Sequence, residues 1–145
     1  MRRIDFRHAE AKSEIAACFA VMRELRPHLQ DEAAFVERVQ RQFADGYRLL
    51  CARVNDRAIG LAGYRPQENL IHGRFIYVDD LVVAATARRS GVGALLLDAV
   101  AQECRKLAIA TLVLDTAIDN SLAQRFYSRY GMLARGLRYS IPVRP

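Results

Sequence analysis

The stretch Val78-Asp79-Asp80-Leu81-Val82-Val83-Ala84 leads through Ala85-Thr86-Ala87-Arg88-Arg89-Ser90 into Gly91-Val92-Gly93. From Phe75 to Ala84, β-branched and aromatic residues dominate, which predicts a strand. Beyond the glycines, Val92, Leu96, Val100, Cys104 and Leu107 form one stripe of a helix, while Asp98, Gln102 and Arg105 fall elsewhere. Strand, glycine turn, helix is the local order, and the apolar stripe requires that helix to lie on a sheet. Glycines at such a turn let the backbone approach a ligand, and the first amides of the helix point outward without partners, which suits phosphate. The pattern is not that of the familiar nucleotide sites. It lacks the Lys-Ser/Thr of a P-loop, and it lacks the third glycine and downstream acid of a dinucleotide fold.

The flanking sequence surrounds this unit with further short elements. Ile4 to His8 alternates as a strand, and Ile15, Cys18, Phe19, Met22 and Leu25 recur at helical spacing until Pro27. A second helix fits Asp31 to Ala44, with Asp31 as N-cap, Phe35, Val39 and Phe43 on one face, and Gly46 as the stop. Tyr47 to Val54 and Ala58 to Arg65 read as an antiparallel hairpin turning at Asn55-Asp56-Arg57, followed by a loop holding Pro66, Asn69 and Gly73. After the central helix, Thr111 to Thr116 is a strand, Ser121 to Tyr130 a short helix, and Met132 to Val143 one or two final strands. Without repeat or linker, residues 1–145 are expected to form a single domain. The expected class is α/β, a mixed and mainly antiparallel central sheet flanked by helices on both faces.

Composition narrows the partners. The chain has 145 residues and a net charge of +6. Only Lys12 and Lys106 among its basic residues are lysine, so arginine carries the positive charge. Arginine matches phosphate geometry, but these arginines are scattered and form no basic run. Aromatics make up 8% with no tryptophan, and none interleaves with basic residues in a nucleic-acid motif, so nucleic acid is not an expected partner. No apolar stretch approaches the roughly 20 residues of a membrane span, and no apolar segment follows Met1-Arg2-Arg3. Cys18, Cys51 and Cys104 sit in apolar surroundings without ligand spacing, and His8, His28 and His72 are isolated. No metal site is expected, and buried thiols suit a reducing, cytoplasmic setting.

Arg88, Gly91 and Gly93 in the pattern Arg-x-x-Gly-x-Gly, an amphipathic helix, a strand, Asn120, and then Phe126-Tyr127-x-x-Tyr130-Gly131-Met132 resemble the GNAT superfamily of acetyl-CoA-dependent N-acyltransferases. The likeness covers the chain and is most specific from Val78 to Met132. It implies the GNAT fold, acetyl-CoA as cosubstrate, and a small-molecule or peptide amine as acceptor. It also implies that the coenzyme A pyrophosphate lies on Arg88, Arg89, Ser90, Gly91, Val92, Gly93 and Ala94. The pantetheine arm would lie along Leu81, Val82 and Val83, with Asn120 also touching it. Tyr127 is implied as the acid. A phenol held near the sulfur can protonate a departing thiolate, although its ordinary pKa of about 10 lies above the thiol's value of about 8.5.

The attacking amine must lose a proton, and carboxylates are the candidates. Asp115 lies five residues before Asn120, where N-terminal peptide acetylases of the superfamily carry a basic Glu. Asp79 and Asp80 precede the arm-binding segment, and strand alternation sends them to opposite faces, so at most one of them faces the cleft; Asp80 is taken as the second candidate. The histone-type base position is Tyr77. After Gly131 only one alternating strand, Arg138 to Val143, is readable, and an exposed sheet edge invites a homodimer. A different class of function on the same fold, a non-catalytic acetyl-CoA sensor or RNA-binding module, is separated from catalysis by the salt dependence of any nucleic-acid binding.

Overall fold

A computed structural model describes residues 3–145. Packing divides the chain into two compact units, 1–114 and 115–145. The first holds a five-stranded sheet in the order β1-β2-β3-β4-β5. Its strands are β1 (Asp5–His8), β2 (Arg48–Val54), β3 (Arg57–Asn69), β4 (Gly73–Val83) and β5 (Leu112–Leu114). The first three pairings are antiparallel, and β5 joins β4 in parallel after the crossover helix α4 (Val92–Lys106).

Each face of this sheet has its own core. Leu49, Cys51, Leu61 and Val82 pack under the helices α1 (Lys12–Ala16), α2 (Phe19–Leu25) and α3 (Glu32–Phe43). Leu50, Ala52, Ala62, Ile76 and Val78 pack against the α4 stripe Val92, Leu96, Val100 and Cys104. Because β2 is covered on both sides, Leu49 to Ala52 is one unbroken apolar run rather than an alternation. Leu107, expected on the stripe, instead caps α4 and is 42% exposed, while Ile109 turns back into the core.

Several local readings hold. The Asp31 side chain accepts from the Ala33 amide at 3.2 Å, and Gly46 takes φ +87 after α3. The hairpin turn is present but shorter than expected: Arg57 pairs with Val54 as the first residue of β3, and Asn55 and Asp56 alone turn, both with the positive φ that a tight two-residue hairpin requires. Others are corrected. The helix expected up to Pro27 is two short ones, broken at Ala17-Cys18, where the Cys18 amide bonds back to Ile15 three residues away. Pro66 to Asn69, expected as loop, continues β3 to a hairpin with β4, since the partner strand offers a ladder from Ile76 to Gly73.

The second unit contains α5 (Ser121–Tyr130), and residues 131–145 form no strand. The expected strand over Arg138 to Val143 is absent. An extended segment becomes a strand only when another strand accepts its amides and carbonyls, and this unit contains none. Tyr139, Ile141 and Val143 are exposed accordingly.

Candidate functional site

The sequence-predicted turn is present in the first unit. Gly91 is the N-cap of α4 with φ +85, and a Cβ added there would meet nothing within 4 Å, so the demand on glycine is conformational rather than spatial. Arg89 also adopts a positive φ of +65, a strained conformation for an arginine. No side chain caps α4. Its first intrahelical bond joins the Leu95 amide to the Gly91 carbonyl at 3.2 Å, which leaves the amides of Val92, Gly93 and Ala94 to donate outside the helix, at the positive end of its dipole. Arg88 folds back on the strand end, its Nε donating to the Val83 carbonyl at 3.3 Å and its guanidinium lying 3.6 Å from Glu24 Oε1. The same Glu24 oxygen accepts the Ala85 amide at 2.8 Å, and the Ser90 hydroxyl donates to the Ala87 carbonyl.

Beside this turn the sheet opens. β4 pairs with β5 only from Ile76 to Val78, whereas on its other side it stays paired with β3 as far as Val83. On the side facing away from β3, the segment Leu81 to Val83 therefore has no partner strand among the described residues, and the Val83 carbonyl there accepts from Arg88 Nε. An extended ligand can add to such an edge as a further strand would.

At the point of opening β4 carries a bulge. Gly63 is opposite Asp80 and Tyr64 opposite Val78, so Asp79 is the extra residue. Ile76 and Val78 face the α4 core, yet beyond the bulge Val82 faces the other core. The one-residue shift reverses parity and puts both carboxylates into one polar cluster on the α1–α3 face. This corrects the expectation that Asp79 and Asp80 point to opposite faces. Asp80 Oδ1 accepts from Arg26 at 3.0 and 3.2 Å, and Asp80 Oδ2 accepts from the Tyr47 hydroxyl at 2.7 Å. Arg26 also donates to the Asp79 carbonyl at 2.8 Å. Arg65 donates to Asp79 Oδ1 at 3.0 Å and to Gln42, and its guanidinium lies 5.1 Å from the centre of the Tyr47 ring. Burial, followed by the charge of Asp80, holds the Tyr47 phenol well above its ordinary range, so it remains a donor. Burial also raises the Asp79 carboxyl despite the opposing Arg65.

In the second unit, Asn120 caps α5, its side chain accepting from the Ala123 amide at 3.1 Å. Asn120 and Tyr127 are seven residues apart, two helical turns, and so share a face of α5. The Tyr127 ring packs 5.3 Å from that of Phe126, and burial raises its phenol above the ordinary value. Gly131 ends the helix at φ +109. Asp115 is ion-paired with Arg138 at 2.7 Å, with the Asp115 side chain 37% exposed. Among the described residues no three His, Cys, Asp or Glu are grouped to hold a metal, and no helix is long and apolar enough to cross a membrane.

Residues 13–132 match the model of the Acetyltransferase (GNAT) family. The chain belongs to that family. This GNAT acetyltransferase is similar to an uncharacterized N-acetyltransferase, YhdJ, of Bacillus subtilis (strain 168), at 28% identity over 97% of this chain and 99% of the relative. Its fold is that of the aminoglycoside N-acetyltransferase AAC(6')-Iy solved with CoA, with a TM-score of 0.87, 18% identity, and coverage of 100% and 97% of the two chains. A ribosomal-protein-alanine N-acetyltransferase from Brucella melitensis biovar Abortus 2308 superposes with a TM-score of 0.82 at 17% identity, covering 97% and 99%.

Sequence reading of this GNAT acetyltransferase missed Tyr47, Arg26, Arg65 and Gly63. Tyr47 reads as an ordinary first residue of a strand, and Arg26 as the end of a helix before Pro27. Their meeting at Asp80 joins positions 54 and 33 residues away, for which no local spacing is a signal.

Proposed function

We propose that this GNAT acetyltransferase transfers the acetyl group of acetyl-CoA to a primary amine by direct attack within a ternary complex. The observation that carries the reading is the uncapped start of α4 at Gly91, lying directly after a β4 edge left open beyond Val78. The residues present fit the cosubstrate. The amides of Val92, Gly93 and Ala94, with Arg88, Arg89 and Ser90 around them, are donors for two phosphates, and Leu81, Val82 and Val83 are a backbone edge for an amide-bearing arm. In this reading Asn120 assists the arm, and residues 1–145 act as one domain.

In the transfer itself the amine nitrogen forms a bond to the thioester carbonyl carbon, and the carbon–sulfur bond then breaks. Tyr127 donates its proton to the leaving sulfur, and its elevated pKa keeps the phenol protonated until that moment. Asp115 and Asp80 are the two carboxylates proposed to receive the amine's proton. Cys18, Cys51 and Cys104 are buried free thiols, which supports direct attack over an acylated cysteine and suits a reducing cytoplasm.

The acceptor is proposed to be a small molecule or a peptide amine. The fold shared with an aminoglycoside and a ribosomal-protein acetyltransferase makes both classes the first to screen. The exposed alternation Tyr139, Ile141, Val143 supports association of two copies, which sedimentation velocity measures directly.

Calorimetry with CoA tests the reading. One-to-one binding is expected, with a rise in Tm, because a ligand of the folded state stabilises it by mass action. Gly91→Asp should remove the binding without unfolding the chain. With an acceptor in hand, double-reciprocal plots should intersect. Absence of heat and of thermal shift at saturating CoA, or parallel plots with an isolable acetyl-enzyme, would overturn the proposal.

A further inference from the structure

We propose that Tyr47, together with Arg26, is a positioning residue that fixes the β4 bulge and through it the direction of the open Leu81–Val83 edge. The inference rests on the proposed function, because it assigns that edge to the cosubstrate arm.

A bulge bends its strand and sharpens the twist, and it withdraws backbone groups from the ladder. This one is secured from three sides. Arg26, at the end of α2, takes the Asp79 carbonyl at 2.8 Å and the Asp80 carboxylate at 3.0 Å, so the acceptor displaced by the bulge is satisfied by a side chain. Tyr47, ahead of β2, spans β3 to reach Asp80 at 2.7 Å. Arg65 of β3 holds Asp79 at 3.0 Å and stacks on the Tyr47 ring. Leu81 is the next residue after Asp80, so whatever fixes the bulge sets the course of the edge that follows. Tyr47 is 3% exposed and acts on the edge only through Asp80.

A purely structural role would lower stability and leave ligand affinity alone. Tyr64 supplies the control, because it too is a buried tyrosine and its phenol lies 2.7 Å from His8 Nε2 on the opposite, α4 face of the sheet. CoA affinity is measured by calorimetry on the full chain for the wild type, Tyr47→Phe and Tyr64→Phe, at a temperature where circular dichroism shows all three folded. The expected result is that Tyr47→Phe weakens CoA by about five- to tenfold, the scale of one lost hydrogen bond, while Tyr64→Phe changes it less than about twofold. Wild-type affinity in Tyr47→Phe, or an equal loss in both variants, overturns the inference and leaves the proposed function standing. If Tyr47→Phe does not fold, Arg26→Gln, on the half-exposed side of the cluster, is judged by the same criterion. A wild-type chain that binds no CoA overturns the proposed function and this inference together.

Discussion

The Tyr47 phenol reaches across Gly63 to donate to Asp80 Oδ2 at 2.7 Å. A Cβ at Gly63 would lie 1.9 Å from the Tyr47 hydroxyl oxygen and 2.7 Å from that carboxylate oxygen. A missing side chain on β3 is thus the condition for a bond between β4 and the residue just ahead of β2.

Gly63→Ala is therefore expected to destabilise the fold by about 1–3 kcal/mol through overpacking, with a further penalty if the buried phenol loses its partner. Urea unfolding followed by circular dichroism measures it. A midpoint equal to that of the wild type would mean that Tyr47 and Asp80 do not need this gap.

Tyr127→Phe is expected to keep CoA affinity and lower kcat by about ten- to ten-thousandfold, the range for loss of one proton-transfer group. Burial raises the Tyr127 pKa, so the phenol stays protonated past its ordinary value of about 10 and is available as a donor throughout the neutral range. In the wild type the alkaline limb of the pH–rate profile should lie above that value, and in the variant it should vanish. An unchanged kcat removes Tyr127 from the mechanism.

Asp80→Asn and Asp115→Asn should separate in stability before they separate in rate. The Asp80 side chain is 15% exposed and accepts from Arg26 and Tyr47, so its loss is expected to cost about 1–3 kcal/mol. Asp115 pairs with Arg138 at the surface, and its neutralisation should cost no more than about 1 kcal/mol. In the pH–rate profile, whichever aspartate takes the amine's proton should alter the acidic limb when replaced, and Asp115 is expected to have the larger effect from its place five residues before Asn120. If neither variant alters that limb, the proton leaves through water.

His8 should make stability fall in mild acid. Burial, with the charge of Arg48 second, lowers its pKa in the folded chain. The unfolded chain then takes up a proton first. Stability contributed by neutral His8 is full above its ordinary value of about 6.5 and is lost as pH falls from there through the folded value. Urea midpoints near about pH 7.5 and about pH 5 should differ more for the wild type than for His8→Gln, which removes this titration. An equal difference in both would assign the acid sensitivity elsewhere.

Several features are legible in the sequence itself because each depends on residues close along the chain. The α4 stripe from Val92 to Cys104, the Asp31 and Asn120 caps, and the Asn55-Asp56 turn follow from helical period, cap chemistry and turn conformation. Gly91 is legible in the same way, since a residue between a strand and an apolar helix stripe must turn the chain sharply. The family signature lies in this local grammar.

Tertiary structure decided what depends on register and on partners. No feature of Val78-Asp79-Asp80-Leu81 announces a bulge, because a bulge is a count of one strand against its neighbour, and Gly63 opposite Asp80 exists only once β3 is in place. That count turned two alternating aspartates into one cluster and brought Tyr47 and Arg26 to it. The same reason removed a strand that the sequence advertised. Arg138 to Val143 alternates correctly, but a strand is a relation between two segments, and in its own unit there is no second one to complete it.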